Sequence, residues 1–578
     1  MSHTIHVADL SLLDPILEKY SNRKRDALLP MLHEVQAVYG WLPREAQEVV
    51  GDTLRVPLAD IHGVIEFYTM FHNKPTAKRV IRVCQDSACH LAGSEAVIAA
   101  IERQLGLRDG ETSDDGLISY EQVPCLGMCE HAPNALNGDK PGGNLTAETV
   151  GDFLAGVHPE PEPRVYGAPL IKLARVGHVD PYRLTDYEDH DGYAGLQKVL
   201  TMTPEAIMAT LKASAVLGRG GAMFPVNLKW EFTRAAPGSA TDKHIVANVD
   251  ESEPGTFKDR ALIDGDPFSL IESMTIAAYT VGAENGWIFI RGEYPRSYER
   301  LSNAVTKARA AGYLGQNIMG QKGFHFDIEL RKGAGAYICG EETALIEAIE
   351  GKRGFPRIKP PFPVTNGLFD QPTALNNVET LVAAMAVLKI GLEEWLKYGT
   401  EQSQGTKWFC LSGHIVRPGL YEVPFGLTIR ELIEMAGGLP EGRDIQAVLL
   451  GGAAGVFIGP AGLDMPLTYE DARACGVPLG SGVIQVFDDT VDLREILYRL
   501  SRFFAHESCG KCFPCQIGTQ RQMEILSRIA QDGGSRNEDR QILLDVGFAM
   551  TETSLCGLGQ TAASAIHSAM ALWPELLH

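Results

Sequence analysis

Eight of the eleven cysteines in this 578-residue chain fall into two groups, and this grouping restricts the possible fold more than any other feature. Cysteines that cluster in a chain with no evident secretory signal indicate metal ligation rather than disulfides. Cys339, Cys410 and Cys475 are isolated and are predicted to be small buried apolar residues. The first group is Cys84, Cys89, Cys125 and Cys129, and a second could be Cys509, Cys512, Cys515 and Cys556.

Length and charge exclude several classes of protein. A chain of this length is predicted to form about three to five domains. Its net charge of −21 argues against a nucleic-acid binder, which normally carries a basic face. No apolar run approaches the roughly 18 residues of a membrane helix, and MSHTIHVADL lacks the basic start of a secretory signal. We therefore predict a cytoplasmic protein that does not enter a membrane.

Periodicity and turn residues predict a multidomain fold of mixed α/β and α+β type. Strands and helices alternate in the middle of the chain, where HIVANV, GWIFI and FHFDIEL are strand candidates, and the two ends are helical. The Pro/Glu-rich stretch HPEPEPRVYGAP indicates a domain boundary. The predicted units are 1–75 (helical), 76–158 (strand–loop–helix with the first cysteines), 159–185 (linker), 186–403 (α/β), 404–490 (α+β) and 491–578 (helical).

The spacing within the first group favours a [2Fe–2S] cluster. Four residues separate Cys84 from Cys89, 35 more precede Cys125, and three separate Cys125 from Cys129. Two cysteine pairs on two loops can each ligate one iron of a [2Fe–2S] rhomb. A four-cysteine zinc site is the alternative, although zinc knuckles favour narrower CxxC pairs.

This CxxxxC…CxxxC pattern, behind a helical N-terminus ending EFYTMF, resembles the thioredoxin-like [2Fe–2S] subunit of respiratory complex I. The resemblance covers residues 1 to about 158. It implies a thioredoxin-like ferredoxin domain that holds one [2Fe–2S] cluster on its four cysteines.

A glycine-rich segment, LGRGGAMFPVNLKWEF, is a candidate phosphate site. Gly218, Gly220 and Gly221 would let backbone N–H groups approach a phosphate, and Arg219 and Lys229 would add positive charge. The segment has neither the GxxxxGK[ST] order of a nucleoside-triphosphate loop nor the GxGxxG spacing of a Rossmann loop. Taken alone, it could equally be a turn.

Acidic residues follow the strand candidate HIVANV. Asn248, Asp250, Glu251 and Glu253 stand at its end, where carboxylates would repel a phosphate but could bind sugar or ribityl hydroxyls. An acidic residue at a ribose disfavours a 2′-phosphate, which predicts NAD rather than NADP.

Three further segments add candidate binding groups. GAGAYICGEETAL is a second glycine turn at the start of a helix, FPRIKPPFP is a proline-stiffened loop, and LNNVET carries two amides suited to a flavin or a phosphate. Their candidate residues are Glu341, Glu342 and Thr343, then Lys359 and Phe362, then Asn376 and Asn377.

Taken in order from about residue 186 to the C-terminus, these segments resemble the flavin- and NADH-binding subunit of complex I. Its relatives in NAD-reducing hydrogenases and NAD-dependent formate dehydrogenases share them. The resemblance also implies a ubiquitin-like β-grasp (SLBB-like) domain at 404–490 and a helical iron–sulfur bundle at the C-terminus. It implies that FMN is held by Gly218, Gly220, Lys229, Asn248, Asp250, Gly340, Glu341, Asn376 and Asn377. It implies that NAD is lined by Glu251, Glu253, Lys359, Phe224, Phe232 and Phe362, with ordinary core packing an equal alternative for Phe232.

The chain departs from the family at two positions of the glycine-rich segment. The family usually reads GAGFPTGLKW, whereas this chain reads GAMFPVNLKW. Met223 would place a thioether against the flavin ring, and Asn227 would replace a glycine at a position where asparagine tolerates left-handed backbone. We expect FMN binding to survive both changes.

The second group begins with the CxxCxxC run HESCGKCFPC and needs a fourth ligand. A bacterial ferredoxin run would carry a cysteine four positions after Cys515, but Thr519 stands there. Cys556 follows Cys515 after 40 intervening residues, and the flavin-subunit family shows the same CxxCxxC…C order. The resemblance therefore implies a [4Fe–4S] cluster, with structural zinc as the alternative.

Together these features predict an electron-transfer subunit. Hydride transfer moves two electrons at once and iron–sulfur clusters carry one, so a flavin between NAD and a cluster is chemically required. We predict no catalytic side chain, because the hydride passes directly between FMN and NAD.

The fusion of both modules in one chain most closely resembles the β subunit of metal-dependent, NAD-linked formate dehydrogenases. This resemblance implies a separate α subunit with a molybdenum or tungsten pterin as the partner. An NAD-reducing hydrogenase or a complex I module is the alternative, and a flavin-less iron–sulfur scaffold is a second one.

Overall fold

Three β-sheets and two helical regions make up the computed structural model, which describes residues 8–532 and 534–577. The helical N-terminus presents one apolar face, because Leu28, Met31, Leu32 and Val35 recur at helical spacing and are fully buried. This face packs into the same core as the central sheet and the C-terminal helices. The N-terminal α-helices are Asp14–Tyr20, Leu28–Tyr39, Arg44–Leu54 and Leu58–Phe67.

The first sheet carries the first cysteine group. Its strands are β1 (Arg79–Cys84), β2 (Ile118–Val123), β3 (Ala135–Asn137) and β4 (Lys140–Gly142) in the order β2-β1-β3-β4. β1 and β2 run parallel, so the loops after both strands meet at one edge of the sheet. The helices of this unit are Ser87–Leu91, Ser94–Leu105 and Val150–Ala155.

The predicted linker, residues 159–185, is in fact built into the fold. Val165–Tyr166 forms β5, which pairs in parallel with a strand of the third sheet. The fully buried carboxylate of Glu422 then binds the chain a few residues later. It accepts hydrogen bonds at 3.0–3.1 Å from three consecutive backbone N–H groups, those of Ile171, Lys172 and Leu173.

The central sheet has the predicted α/β character. Its strands are β6 (His244–Val249), β7 (Asn285–Ile290), β8 (Gly315–Gln316), β9 (His325–Lys332) and β10 (Thr373–Asn377), in the order β10-β6-β7-β9-β8. All pairings except β8 with β9 are parallel, and helices cover the sheet. The α-helices of this domain are Leu184–Asp189, Ala194–Val199, Pro204–Ala213, Val226–Ala235, Lys258–Gly265, Pro267–Val281, Pro295–Ala310, Glu342–Ile349, Pro363–Asn366, Val378–Ile390 and Leu392–Trp395.

The third sheet forms the small α+β unit. Its strands are β11 (Thr406–Gly413), β12 (Gly419–Pro424), β13 (Ile445–Leu450), β14 (Val456–Ile458) and β15 (Val483–Asp488). With β5 at its edge, the sheet has the order β14-β13-β15-β11-β12-β5. Its helices are Ile429–Met435 and Tyr469–Ala474.

The C-terminal region is helical, as predicted. Its amphipathic first helix buries Ile496, Leu497, Leu500 and Phe504 on one face. The helices are Leu493–Glu507, Phe513–Asp532, Asp539–Thr553, Gly557–Thr561 and Ser564–Leu572. Across residues 8–532 and 534–577, no helix is both long and apolar enough to cross a membrane.

Candidate functional site

The four cysteines of the first group, hereafter the first cysteine site, lie close together among apolar side chains. All four are buried, and the sulfurs of Cys125 and Cys129 lie 3.3 Å apart. Leu126, Met128 and Leu136 pack around them and exclude water. Cys84 ends β1 and Cys89 lies in the short helix that follows it, while Cys125 and Cys129 follow β2, as expected when two parallel strands end at one edge.

The loop of Cys125 docks on the central domain. Arg291 Nη2 donates to the Cys125 carbonyl oxygen at 2.8 Å, and Arg260 Nε donates to the Gly127 carbonyl oxygen at 2.7 Å. Gly127 has φ +66°, and a Cβ there would lie 2.0 Å from Tyr294 Oη. Only glycine therefore permits this close approach. Arg260, Arg291 and Tyr294 could not be predicted as site residues, because nothing in the local sequence marks them as partners of a distant loop.

The glycine loop, residues 217–225, lies at the carboxyl ends of β6 and β10. Asn377 ends β10, and a Cβ on Gly220 would lie 3.1 Å from the Asn377 Cβ. Gly221 has φ +110°, which other residues rarely adopt. Ligands of open α/β sheets bind at this edge, where backbone N–H groups can approach a phosphate.

Polar groups with free capacity line the edge beside the glycine loop. Asn248 Nδ2 donates to the Gly340 carbonyl oxygen at 2.8 Å, and a Cβ on Gly340 would come within 3.2 Å of the Asp250 carbonyl oxygen. Asp250 Oδ2 is buried and has no hydrogen-bond partner among the described residues. Burial raises the pKa of Asp250 well above its ordinary value. A ribityl hydroxyl would satisfy this oxygen, so these residues fit FMN.

Two lysines and two glutamates form a charged rim around the edge. Lys359 Nζ lies 2.9 Å from both Glu341 Oε1 and Glu342 Oε1, and Lys229 Nζ lies 3.3 Å from Glu342 Oε2. Burial alone would raise the pKa of Glu342, but the two ammonium groups lower it below its ordinary value. Glu342 therefore stays ionised at neutral pH, and the two carboxylates raise the pKa of Lys359 above its ordinary value.

Three predicted aromatic residues are exposed, as stacking surfaces for a nucleotide must be. Phe224, Phe232 and Phe362 are 42%, 49% and 53% exposed. The alternative for Phe232, ordinary core packing, is wrong, because half of its surface is open to solvent.

Glu251 and Glu253 are committed to other contacts. Glu251 accepts hydrogen bonds from the backbone N–H groups of Asp259 (2.9 Å) and Arg260 (3.0 Å), and burial, aided by Asp259, raises its pKa to about 8. Glu253 accepts from the Ala454 N–H at 3.0 Å, and burial raises its pKa to about 7. Their orientation does not support the predicted role for these two carboxylates at a ribose.

Arg219 also departs from its prediction. Its guanidinium is buried against the third sheet, where Nη1 donates to Tyr469 Oη at 3.0 Å and the group stacks 4.7 Å from the Phe425 ring. The side chain thus leaves the glycine loop, and only its backbone N–H, which donates to Thr380 Oγ1 at 2.8 Å, stays there. Of the two cations predicted at the phosphate, Lys229 therefore stays a candidate and the Arg219 side chain does not.

The left-handed backbone predicted at Asn227 occurs at Met223 instead. Met223 holds the left-handed backbone, with φ +52°, and packs against the core of the third sheet. Asn227 lies inside the helix Val226–Ala235 with ordinary helical geometry, so it needs no left-handed tolerance. Met223 therefore ties the glycine loop to the third sheet.

The four cysteines of the second group form one site with walls from two domains. They line a single cavity together with Ile338 and Pro356 of the central domain. Lys511 Nζ donates to the Pro356 carbonyl oxygen at 2.6 Å, which fastens the loop to that domain. Burial raises the pKa of Cys556 to about 11, so a metal would displace its proton on binding. This second cysteine site comprises Cys509, Cys512, Cys515 and Cys556.

Family models match this chain in the same order as its domains. A thioredoxin-like [2Fe–2S] ferredoxin matches residues 13–158, and the Nuo51 FMN-binding domain matches 211–386. An SLBB domain matches 409–454, and the NADH-ubiquinone oxidoreductase-F iron-sulfur binding region matches 495–578. The predicted fold class is confirmed, as are the cofactors FMN, NAD(H), [2Fe–2S] and [4Fe–4S].

Known relatives extend this match to the whole chain. The NAD-reducing hydrogenase HoxS subunit alpha of Cupriavidus necator is 35% identical over 98% of this chain and 94% of its own length. The NADP-reducing hydrogenase subunit HndC of Solidesulfovibrio fructosivorans is 45% identical over 69% of this chain and 81% of its own. A crystal structure of an NAD+-reducing [NiFe]-hydrogenase in the H2-reduced state matches with a TM-score of 0.84 and 30% identity, over 96% of this chain and 92% of that one.

The sheet edge beside the glycine loop is called the flavin edge from here on. Together with the fold and the two cysteine sites, it defines the class of protein. The chain is an NAD(H) oxidoreductase subunit of the diaphorase type, which transfers electrons through FMN and iron–sulfur clusters. The chain belongs to the NADH-dehydrogenase module family in which the thioredoxin-like [2Fe–2S] unit is fused to the FMN-binding unit. These relatives do not confirm the predicted formate dehydrogenase assignment. The FMN-domain match spans Met223 and opposes the flavin-less alternative.

Proposed function

We propose that this subunit passes electrons from a catalytic partner through the second cysteine site and the flavin to NAD+, and that it also runs in reverse. The observation that carries the proposal is the position of the flavin edge. Gly340 and Glu341 belong to that edge, and Ile338, two residues earlier, lines the cavity of the second cysteine site. The two redox sites are therefore neighbours along one short segment.

The proposed roles follow from the geometry at the edge. FMN, when bound, supplies the exchange between a two-electron hydride and single electrons. Backbone N–H groups of the glycine loop and Lys229 bind its phosphate, while Asn248 and Asp250 bind its ribityl hydroxyls. The full proposed FMN set is Gly218, Gly220, Gly221, Lys229, Asn248, Asp250, Gly340, Glu341, Glu342, Asn376 and Asn377.

The exposed rings of Phe224, Phe232 and Phe362 stack on the dinucleotide, and Lys359 binds its phosphates. The aromatic faces and the Lys359 ammonium would orient NAD beside the flavin without taking part in bond changes. Because Glu251 and Glu253 are committed elsewhere, neither of them excludes a 2′-phosphate. Comparing NAD+ with NADP+ as acceptor tests the predicted preference for NAD directly.

We propose a hydrogenase-type catalytic subunit as the partner, because the relative that matches this fused architecture over nearly its whole length is a hydrogenase subunit. A formate dehydrogenase α subunit with a molybdenum or tungsten pterin is the second candidate, supported by the sequence resemblance. Exposed apolar side chains near the second cysteine site provide a surface for either partner. Phe513 is 79% exposed, Ile517 60% and Phe548 69%.

The deciding experiment purifies the native complex and measures NAD+ reduction with hydrogen and with formate. Hydrogen-dependent reduction with nickel in the partner supports the first candidate, and formate-dependent reduction with molybdenum or tungsten supports the second. The diaphorase proposal itself fails if the isolated chain contains FMN but does not reduce a dye with NADH.

A further inference from the structure

A cluster of buried charges borders the glycine loop and connects it to the third sheet. Glu379 is its centre, fully buried at the start of the helix that follows β10. Its Oε1 accepts hydrogen bonds from Lys172 Nζ (3.0 Å) and from the Trp408 N–H (3.0 Å), and Lys258 Nζ lies 3.8 Å from its Oε2. None of these groups was singled out from the sequence.

The cluster touches the proposed FMN site through Asn377. Asn377 Oδ1 accepts hydrogen bonds from Lys258 Nζ at 2.9 Å and from the Glu379 N–H at 3.0 Å. Arg219, whose backbone belongs to the glycine loop, completes the cluster from that side. A charge inside the cluster is therefore separated from the flavin edge by one or two residues.

Lys407, on β11, differs from the other cations of the cluster. Its side chain is fully buried, and its Nζ has no hydrogen-bond partner in the described part of the chain. Its one close ring contact is with Phe409, 5.6 Å from the ring centroid. The charged groups that face it are Glu379, Arg219, Lys258 and Lys172.

The charges of the cluster do not cancel. Four cations stand against three carboxylates. Among the described residues, Lys172 and Lys258 form ion pairs, whereas Lys407 does not, and Arg219 donates to the Tyr469 hydroxyl instead of a carboxylate. In a buried setting an unpaired charge acts over longer distances than it does in water. The cations are Lys172, Arg219, Lys258 and Lys407, and the carboxylates are Asp259, Glu379 and Glu422.

We propose that Lys407 raises the reduction potential of the flavin by holding an unpaired positive charge beneath its binding edge. The inference rests on the proposed function, because it requires FMN at Asn377 and the glycine loop. A reduced flavin that has taken up fewer protons than electrons carries negative charge, which a nearby cation stabilises relative to the oxidised form. Lys407 acts through the electric field of its ammonium group and touches neither cofactor nor substrate, so it is not a catalytic residue.

The same position makes the effect depend on pH. Burial, together with the cations Arg219, Lys258 and Lys172, lowers the pKa of Lys407 to about 8, against the opposing effect of Glu379. The ammonium is therefore present below pH 8 and is lost as the pH rises through that value. The extra stabilisation of the reduced flavin should be lost over the same range.

The test measures the FMN midpoint potential of the full chain by spectroelectrochemistry at pH 7. In Lys407→Met we expect the ratio of affinities for reduced over oxidised FMN to fall roughly tenfold, which is about 30 mV for a two-electron couple. Lys407→Arg keeps the charge and should stay near the wild-type value. Lys397→Met, which removes an exposed lysine, is the matched control and should show no change.

The outcomes separate this inference from the proposed function. A chain that binds no FMN refutes the proposed function, whereas FMN bound at an unchanged potential in Lys407→Met refutes only the role of Lys407. If Lys407→Met does not fold, the FMN midpoint potentials of the wild type and of Lys407→Arg are compared between pH 6 and 10 instead. The wild-type potential should then show an extra fall between about pH 7 and 9 that Lys407→Arg lacks, and identical profiles overturn the proposal.

Discussion

Replacing Gly127 by alanine tests whether the first cysteine site is held in place by the central domain. The change adds one methyl group to the loop that contains Cys125 and Cys129. That methyl would lie 2.0 Å from Tyr294 Oη and 2.6 Å from Cζ of the same ring, so the loop or the ring must move. Gly106 provides a matched control, because it has the same φ of +66° and a methyl group added there would have no atom within 4 Å.

The magnitude has two parts. Left-handed backbone costs an alanine about 1–2 kcal/mol at either position. Overpacking costs about 1–3 kcal/mol more, and only at Gly127. The difference between Gly127→Ala and Gly106→Ala should therefore lie at about 1–3 kcal/mol, a factor of roughly 5 to 150 in the equilibrium between docked and undocked loop.

The assay follows the [2Fe–2S] cluster by electron paramagnetic resonance and by its rate of loss to a chelator. We expect Gly127→Ala to lose its cluster faster than Gly106→Ala and wild type, while FMN and the [4Fe–4S] signal persist. Equal cluster loss in the two alanine variants would show that backbone strain alone matters, and the docking argument would be refuted.

Three further changes test other parts of the assembly. Cys556→Ala should remove the [4Fe–4S] signal and leave FMN and [2Fe–2S] in place, and a retained [4Fe–4S] cluster would exclude this ligand. Cys475→Ala, at an isolated cysteine that is exposed rather than buried as predicted, should change none of the three cofactors. Lys359→Met should raise the KM for NADH several-fold, since it removes a cation from the rim, and an unchanged KM would contradict that role. Glu253 has a pKa raised by burial from an ordinary 4.5 to about 7, so it favours the folded state below pH 4.5 and loses that contribution as the pH rises towards 7. The free energy of unfolding of the wild type, followed by thermal unfolding, should therefore fall by up to about 3 kcal/mol over this range because of Glu253. Glu253→Gln should lack this fall, and a pH profile parallel to that of the wild type would contradict the argument.

Local sequence predicted the parts of the sites that depend on spacing. The first cysteine group and the acidic residues after HIVANV lie at or just beyond strand ends, as their patterns predicted, because parallel strands bring such ends to one edge of a sheet. The direction of individual side chains was not predictable in this way. Arg219 turns towards Phe425 and Tyr469, more than 200 residues away in the sequence, and no local signal marks those rings as its partners.

The carboxylates of Glu251 and Glu253 illustrate the same limit. Their position after a strand is typical of ribose binding. In the structure, however, Glu251 accepts a hydrogen bond from the Asp259 N–H and Glu253 accepts one from the Ala454 N–H. The contacts of the predicted linker were missed for a related reason. A Pro/Glu-rich composition indicates weak apolar packing, but Glu422 holds the following residues through their backbone, which composition does not encode.

The two-residue strand β5 and the carboxylate of Glu422 bear on how the fused chain could be divided. The connection between the [2Fe–2S] unit and the flavin unit contributes an edge strand and three hydrogen-bonded amides to a third domain. The connection is therefore part of the packed structure and not a flexible linker whose length would set the effective concentration of one unit near the other. A protease cut on either side of it should leave the pieces associated, and separately expressed halves should assemble only if one of them keeps this segment. Every assembled copy thus contains both cysteine sites and the edge beside the glycine loop in a fixed ratio.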